Sequence, residues 1–204
     1  MITELKKGNE VEKVILPKQP VILNPANLPE DLDEAAVVKK ALEEPIGSKR
    51  LNQIVKPGDK IVIITSDITR PMPTGKVMDP LMEELLSAGV SPDNVTLVFA
   101  RGSHRHHSQQ EMAHLAGNWY GKICCVDSDS ENVIHLGTTS SGTPVDIDAR
   151  VVQADRRICL GNVEFHYFAG YSGGAKAIMP GVSTVSAITM NHRMMVDPRA
   201  RAGN

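Results

Sequence analysis

Apolar positions along this 204-residue chain change their spacing several times, and each change predicts an element. Residues 60–67, KIVIITSD, form an unbroken apolar run of the kind buried on both faces of a parallel sheet. Val77, Met78, Leu81, Met82, Leu85 and Leu86 then recur at helical spacing until Ala88 and Gly89 end the pattern. Pro80 lies inside that pattern, which predicts a helix capped by Asp79 with Pro80 at its first position. Residues 94–101, NVTLVFAR, predict a second strand, 108–117 a second helix, and 121–127, GKICCVD, a third strand. VIHLG (133–137), PVDID (144–148) and RRICLGN (156–162) predict further strands, and Ser183 to Met195 a final helix. Upstream, the short apolar runs 14–16 and 21–23 are separated by prolines and predict edge or hairpin strands. Between 25 and 46, Ala35, Val38, Ala41 and Leu42 share one face of an amphipathic helix with an acidic start.

Regular alternation of strand and helix means parallel β with crossover connections. The expected fold is therefore α/β: one Rossmann-like, three-layer domain over 1–204, with a mainly parallel sheet and helices on both faces. Hydrophobic residues at 41% and charged residues at 23% fit a globular chain rather than a disordered one. No apolar run reaches the ~18 residues of a membrane span, and the first residues lack a signal-peptide core. A net charge of -2 with no long basic run argues against nucleic acid as a partner. Cys124, Cys125 and Cys159 cannot build a disulfide framework, which favours a reducing cytoplasm with thiols packed as small hydrophobes.

In parallel sheets, ligands bind beyond the carboxyl ends of the strands, where strand order reverses. The chemistry-bearing residues of this chain follow its strands. SDITRPMP (66–73) supplies Asp67, Thr69 and the planar fork of Arg70, suited to a carboxylate or phosphate. The same turn also reads as a cap in which Asp67 or Thr69 takes orphan amides. ARGSHRHHS (100–108) holds His104, His106 and His107, of which one at the strand end suits acid–base work better than three suit a metal.

The densest stretch, 161–181, combines His166, the Gly173-Gly174 pair and Lys176. The glycines permit close backbone approach to an anionic or planar ligand. Ala175 and Ala177 break the phosphate-loop pattern, which disfavours a nucleoside-triphosphate site. Apolar neighbours Ala175, Ala177, Ile178 and Met179 would lower the pKa of Lys176 and suit covalent chemistry, whereas a snorkelling surface lysine fits the same residues. His192 in the last helix reads, alone, as a packing or surface histidine. An ordinary NAD dehydrogenase is excluded because no G-x-G-x-x-G joins an early strand to a helix. Residue chemistry thus points to an enzyme or nucleotide-binding domain acting on a small anionic substrate.

SDITRPMP, RGSHRHHS, HYFAGYSGGAKAIMPG and NHRMM, in this order, resemble the nickel-dependent lactate racemase family in its N-terminal, cofactor-carrying domain. The likeness runs from about residue 55 to the C-terminus. The resemblance implies an isomerase that racemises or epimerises a small 2-hydroxy acid by hydride transfer. It implies a nickel-pincer nucleotide, a pyridinium-3,5-bisthiocarboxylic acid mononucleotide, attached covalently to Lys176, with His192 as a nickel ligand. It makes His104 and His166 the catalytic acid–base pair and Arg70 the residue near substrate. Asp67, Thr69, Gly173 and Gly174 fall where nucleotide contacts are expected. The family further implies a C-terminal domain, absent from this chain, and cofactor-synthesis enzymes as partners. A domain standing alone is then expected to be inactive. The alternative is a non-catalytic nucleotide- or metal-binding module on the same fold.

Overall fold

The computed structural model describes residues 2–21, 33–166 and 169–200. The chain divides into two compact units, Met1–Leu32 and Asp33–Asn204.

The described part of the first unit is an antiparallel hairpin of β1 (Ile2–Lys7) and β2 (Glu10–Ile15), turning at Gly8 with φ +63°. Its sequence carries more charge than hydrophobic alternation, and cross-strand pairs supply the register. Glu4 stands opposite Lys13, and Lys7 reaches Glu12 at 3.5 Å. The apolar run 14–16 marks only the end of this hairpin, while 21–23 lies largely outside the described residues.

In the second unit, β3 (Ile61–Ser66), β4 (Val95–Ala100), β5 (Cys124–Asp127) and β8 (Arg156–Cys159) form one all-parallel sheet in the order β5-β4-β3-β8. The first of these strands lies inside the sheet and the last pairs on its far side. Strand order therefore reverses between β3 and β8, the arrangement of a doubly wound α/β fold. Alternate residues of β3 serve opposite faces. Ile61 and Ile63 pack with Val95, Leu97 and Phe99 beneath α2 (Thr74–Ser87) and α3 (Gln109–Ala116), which contribute Met78, Leu81, Met82, Leu85 and Leu115. Val62 and Ile64 pack with Val98 on the other face against Ile147, Val151, Ala154 and Val182. That second layer is made of the hairpin β6 (Val133–Thr138) and β7 (Pro144–Asp148), the short helix α4 (Ala149–Gln153) and the turn leading to α5 (Val185–Arg193). The segments 133–137 and 144–148 are thus strands, but they pair antiparallel outside the main sheet.

One helix start differs from the sequence reading for a physical reason. α2 begins at Thr74 and runs through Pro80, because Asp79 is not a cap. Its carboxylate accepts the indole N–H of Trp119 at 2.8 Å and the Asn118 amide at 2.9 Å. Thr74 is instead anchored by its hydroxyl to that of Thr65, 2.7 Å away in the buried layer. α1 (Glu34–Glu43) is capped by Asp33, and its apolar face is only half covered: Val38 and Leu42 are half-buried, while Ala35 and Ala41 are exposed. Cys124 and Cys125 also depart from expectation. β5 is an edge strand, so Cys124 is exposed; burial pushes the half-buried Cys125 thiol up to about 11.

Ile63 is fully enclosed at the centre of the sheet. Ile63→Ala is expected to destabilise the fold by about 2–5 kcal/mol, the cost of lost transfer energy plus a cavity. Urea unfolding checks this, and a change below about 1 kcal/mol would contradict the packing described.

Candidate functional site

At the carboxyl ends of β3, β4 and β8 lies an open cleft of about 610 Å³. Three connections wall it. The loop after β3 supplies Asp67, Thr69 and Arg70; the loop after β4 supplies Arg101 and His104. The segment after β8 forms the small hairpin β9 (Phe165–His166) and β10 (Gly170–Tyr171), then a short turn, Gly174–Ala177, and brings in Asn162, Glu164, His166, Ser172, Gly173 and Lys176. α5 closes one side with Ile188 and, one turn on, His192.

The structure therefore gathers His104, His166, Arg70, Lys176, Asp67, Thr69, Gly173 and His192 around one cleft, and leaves Gly174 outside its lining. Gly174 has φ +49° and nothing near its Cβ position, so the turn alone requires it. Gly173 serves packing: a Cβ there would meet Val163 Cγ2 at 2.8 Å, and one on Gly161 would meet Gly173 at 3.0 Å. Two backbone segments touch at this point, and Gly173 lines the cleft as well.

The loop after β3 is both turn and site. One oxygen of Asp67 accepts the Thr69 N–H at 3.1 Å and the Thr69 hydroxyl at 2.7 Å, the capping turn read from sequence. Its other oxygen meets Nδ1 of His104. Burial pushes the Asp67 carboxyl up, but the hydrogen bonds from His104 and Thr69 outweigh it and hold the group below the ordinary carboxylate value. An ionised Asp67 accepts the hydrogen bond that Nδ1–H donates, so the basic nitrogen of His104 is Nε2. The Thr69 hydroxyl also accepts from Arg70 at 3.2 Å, so Asp67 and Thr69, both on the cleft wall, bond within their own loop.

His166 and Lys176 face the opposite electrostatics. Burial lowers the His166 pKa first, and the charges of Lys176, Arg70 and His192 lower it further. Lys176 is lowered by burial and then by Arg70, with Glu164 opposing. Nδ1 of His166 accepts the Ala169 N–H at 3.2 Å, which places the proton of its neutral ring on Nε2. Ser172 fixes the hairpin: its hydroxyl donates to the Asn162 carbonyl at 2.6 Å and accepts the Glu164 N–H at 3.0 Å.

Arg101 was not legible as a site residue from sequence. Its guanidinium donates to the Ser128 carbonyl at 3.1 Å and to the His104 carbonyl at 2.8 Å, bracing the loop that presents His104. Arg105 in the same loop turns away to form a two-bond pair with Glu111 at 2.6 and 2.8 Å. The three histidines of this loop separate: His104 lines the cleft, while exposed His106 and buried His107 both bond Asp127.

With Arg70, Arg101 and Lys176 against Glu164 and an engaged Asp67, the cleft suits an anionic ligand of nucleotide size. Among the described residues no group of His, Cys, Asp and Glu could hold a metal ion alone. Among the described residues no helix is long and apolar enough to cross a membrane.

A family model of the lactate racemase N-terminal domain matches residues 8–203. The chain is 39% identical over 179 residues to lactate racemase of Thermoanaerobacterium thermosaccharolyticum, covering 85% of this chain and 42% of that protein. It is 34% identical over 184 residues to lactate racemase of Lactiplantibacillus plantarum, with the same coverages, 85% and 42%. Among solved structures, the apoprotein of the T. thermosaccharolyticum lactate racemase superposes with a TM-score of 0.79 at 34% identity, over 98% of this chain and 49% of that one. A Thermotoga maritima protein at 20% identity shares the fold, with a TM-score of 0.62 over 81% of this chain and 43% of that one. The chain thus spans less than half the length of the curated relatives it matches.

Proposed function

The chain belongs to the lactate racemase N-terminal domain family, and on that premise we propose that it is the cofactor-carrying domain of a 2-hydroxy-acid racemase or epimerase of the lactate type. Residues 1–204 would act as the first of two domains, the second closing the cleft and completing the substrate site. The observation that carries the reading is convergence: two histidines, an arginine, a lysine with lowered pKa and a third histidine, from three connections and α5, line one cleft at the strand-order reversal.

The residues fit the nickel-pincer nucleotide that the family resemblance implies. The cleft has nucleotide size and positive character, Lys176 is a partly desolvated amine suited to acylation-type attachment, and His192 offers the single imidazole. When bound, that group supplies the acceptor and donor of hydride. The chain supplies the rest. Arg70 holds the substrate carboxylate by its planar fork. His104, with Nε2 basic, takes the hydroxyl proton of one enantiomer, and His166 does so for the other through Nδ1, once that nitrogen exchanges the Ala169 N–H for the substrate hydroxyl. Hydride delivered to the opposite face of the planar keto acid would set the inverted configuration at carbon, while the partner histidine gives its own proton to the carbonyl oxygen. Asp67 acts on His104, holding its tautomer and offsetting the charge that forms on its ring. The chain and its substrate would meet in the cytoplasm, where the cofactor-synthesis enzymes work.

The test is a chiral assay of D- and L-lactate with this chain, produced alongside the cofactor-synthesis enzymes with nickel, alone and with the second half of a lactate racemase added. Interconversion on addition of that half, with little or none by the chain alone, supports the reading. Equal rates in both conditions would remove the two-domain requirement, and a loaded but inactive pair would favour a binding module. Other short-chain 2-hydroxy acids in the same assay define the substrate.

A further inference from the structure

His107 is buried and lies against the Phe99 ring, with centroids 5.3 Å apart. It bonds through both ring nitrogens. Nδ1 meets Asp127 at 2.5 Å, and Nε2 lies 3.0 Å from the backbone N–H of Ile68. Asp127 also accepts the His107 backbone N–H at 3.0 Å, so the residue is held by ring and main chain together. An amide N–H can only donate, so Nε2 must be bare and the ring proton must sit on Nδ1, facing the carboxylate.

Ile68 is the residue between Asp67 and Thr69. The loop after β4 therefore grips the loop after β3 twice within four residues: His104 bonds the Asp67 side chain, and His107 takes the next backbone N–H. We infer that His107, fixed by Asp127, is a positioning residue that locks the Asp67–Arg70 loop and thereby keeps Asp67 aligned on His104. The ring does not line the cleft, so it acts through Asp67 and not on a ligand. The significance for proton transfer rests on the proposed role of His104; the clamp itself does not.

Long-range ¹H–¹⁵N spectra of this chain at neutral pH test the tautomer without substrate or cofactor. A protonated Nδ1 and bare Nε2 on His107 is the expected pattern, and the reverse tautomer or a doubly protonated ring overturns the assignment. Two variants test positioning. His107→Gln can still offer an acceptor to Ile68, whereas His107→Asn reaches only as far as Asp127. The downfield Nδ1–H signal of His104 is expected to persist in the Gln variant and to be lost in the Asn variant, with the amides of β3 and β4 unchanged. Equal His104 signals in the two would sink the idea. In the assembled enzyme the Asn variant should lower kcat with little change in KM, and Gln should rescue it. The expected spectra together with no racemase activity in the assembled enzyme would reject the functional reading and leave the clamp standing.

Discussion

Lys176→Ala is expected to leave the protein without any covalent nucleotide-sized addition, even when it is produced with the cofactor-synthesis enzymes and nickel, and to abolish racemisation. Attachment needs a neutral amine, and an ordinary lysine is almost wholly protonated at pH 7. Burial and the nearby Arg70 both disfavour the ammonium form of Lys176, so the neutral fraction is larger than usual at that pH. The sign is fixed by the geometry: removing Arg70 should raise the Lys176 pKa and slow loading at neutral pH. Intact-mass spectrometry with peptide mapping reads both effects. An adduct on the unmodified chain that maps to another residue would end the tether assignment. Nucleotide that binds reversibly, and that Lys176→Ala merely weakens, would identify a non-catalytic module.

Much of this site could be read before its geometry, because its parts follow strands that the apolar runs mark clearly. β3 and β4 fall within 60–67 and 94–101, since strands buried on both faces leave uninterrupted hydrophobic runs. What could not be read was anything decided by side-chain competition. Asp79 looked like a cap until Trp119 and Asn118 claimed its carboxylate. His104, His106 and His107 are equivalent in the sequence, and only the positions of Asp67 and Asp127 separate a cleft residue from two structural ones. Gly173 and Gly174 signalled a special backbone correctly, but composition does not distinguish approach to a ligand from the contact with Gly161. β1 escaped the pattern and β2 showed only at its end, because the register of the hairpin rests on charge pairs across the strands. An exposed edge strand also read as core at Cys124, where the run CCV suggested burial.

Alanine at His104 or at His166 is expected to lower racemisation by about 10²- to 10⁴-fold, the usual worth of a positioned acid or base. Because inversion needs one histidine on each face, loss of either should suppress both directions, and the double variant should cost far less than the product of the two single losses. Asp67→Asn separates orientation from charge. The amide can present a donor to Nδ1, which favours the wrong tautomer of His104, so kcat should fall while the carboxylate-binding step through Arg70 is retained and KM changes little. The pH profile gives an independent check. Burial, followed by Lys176, Arg70 and His192, lowers the His166 pKa, so this ring stays neutral at pH values where an ordinary histidine is already charged. A base works only while neutral; the direction in which His166 is the base should therefore lose activity only as pH falls below the ordinary imidazole value of 6.5. Assays of kcat/KM from each enantiomer across that range decide the matter. If neither direction keeps its activity down to that point, His166 is not the base that meets free substrate.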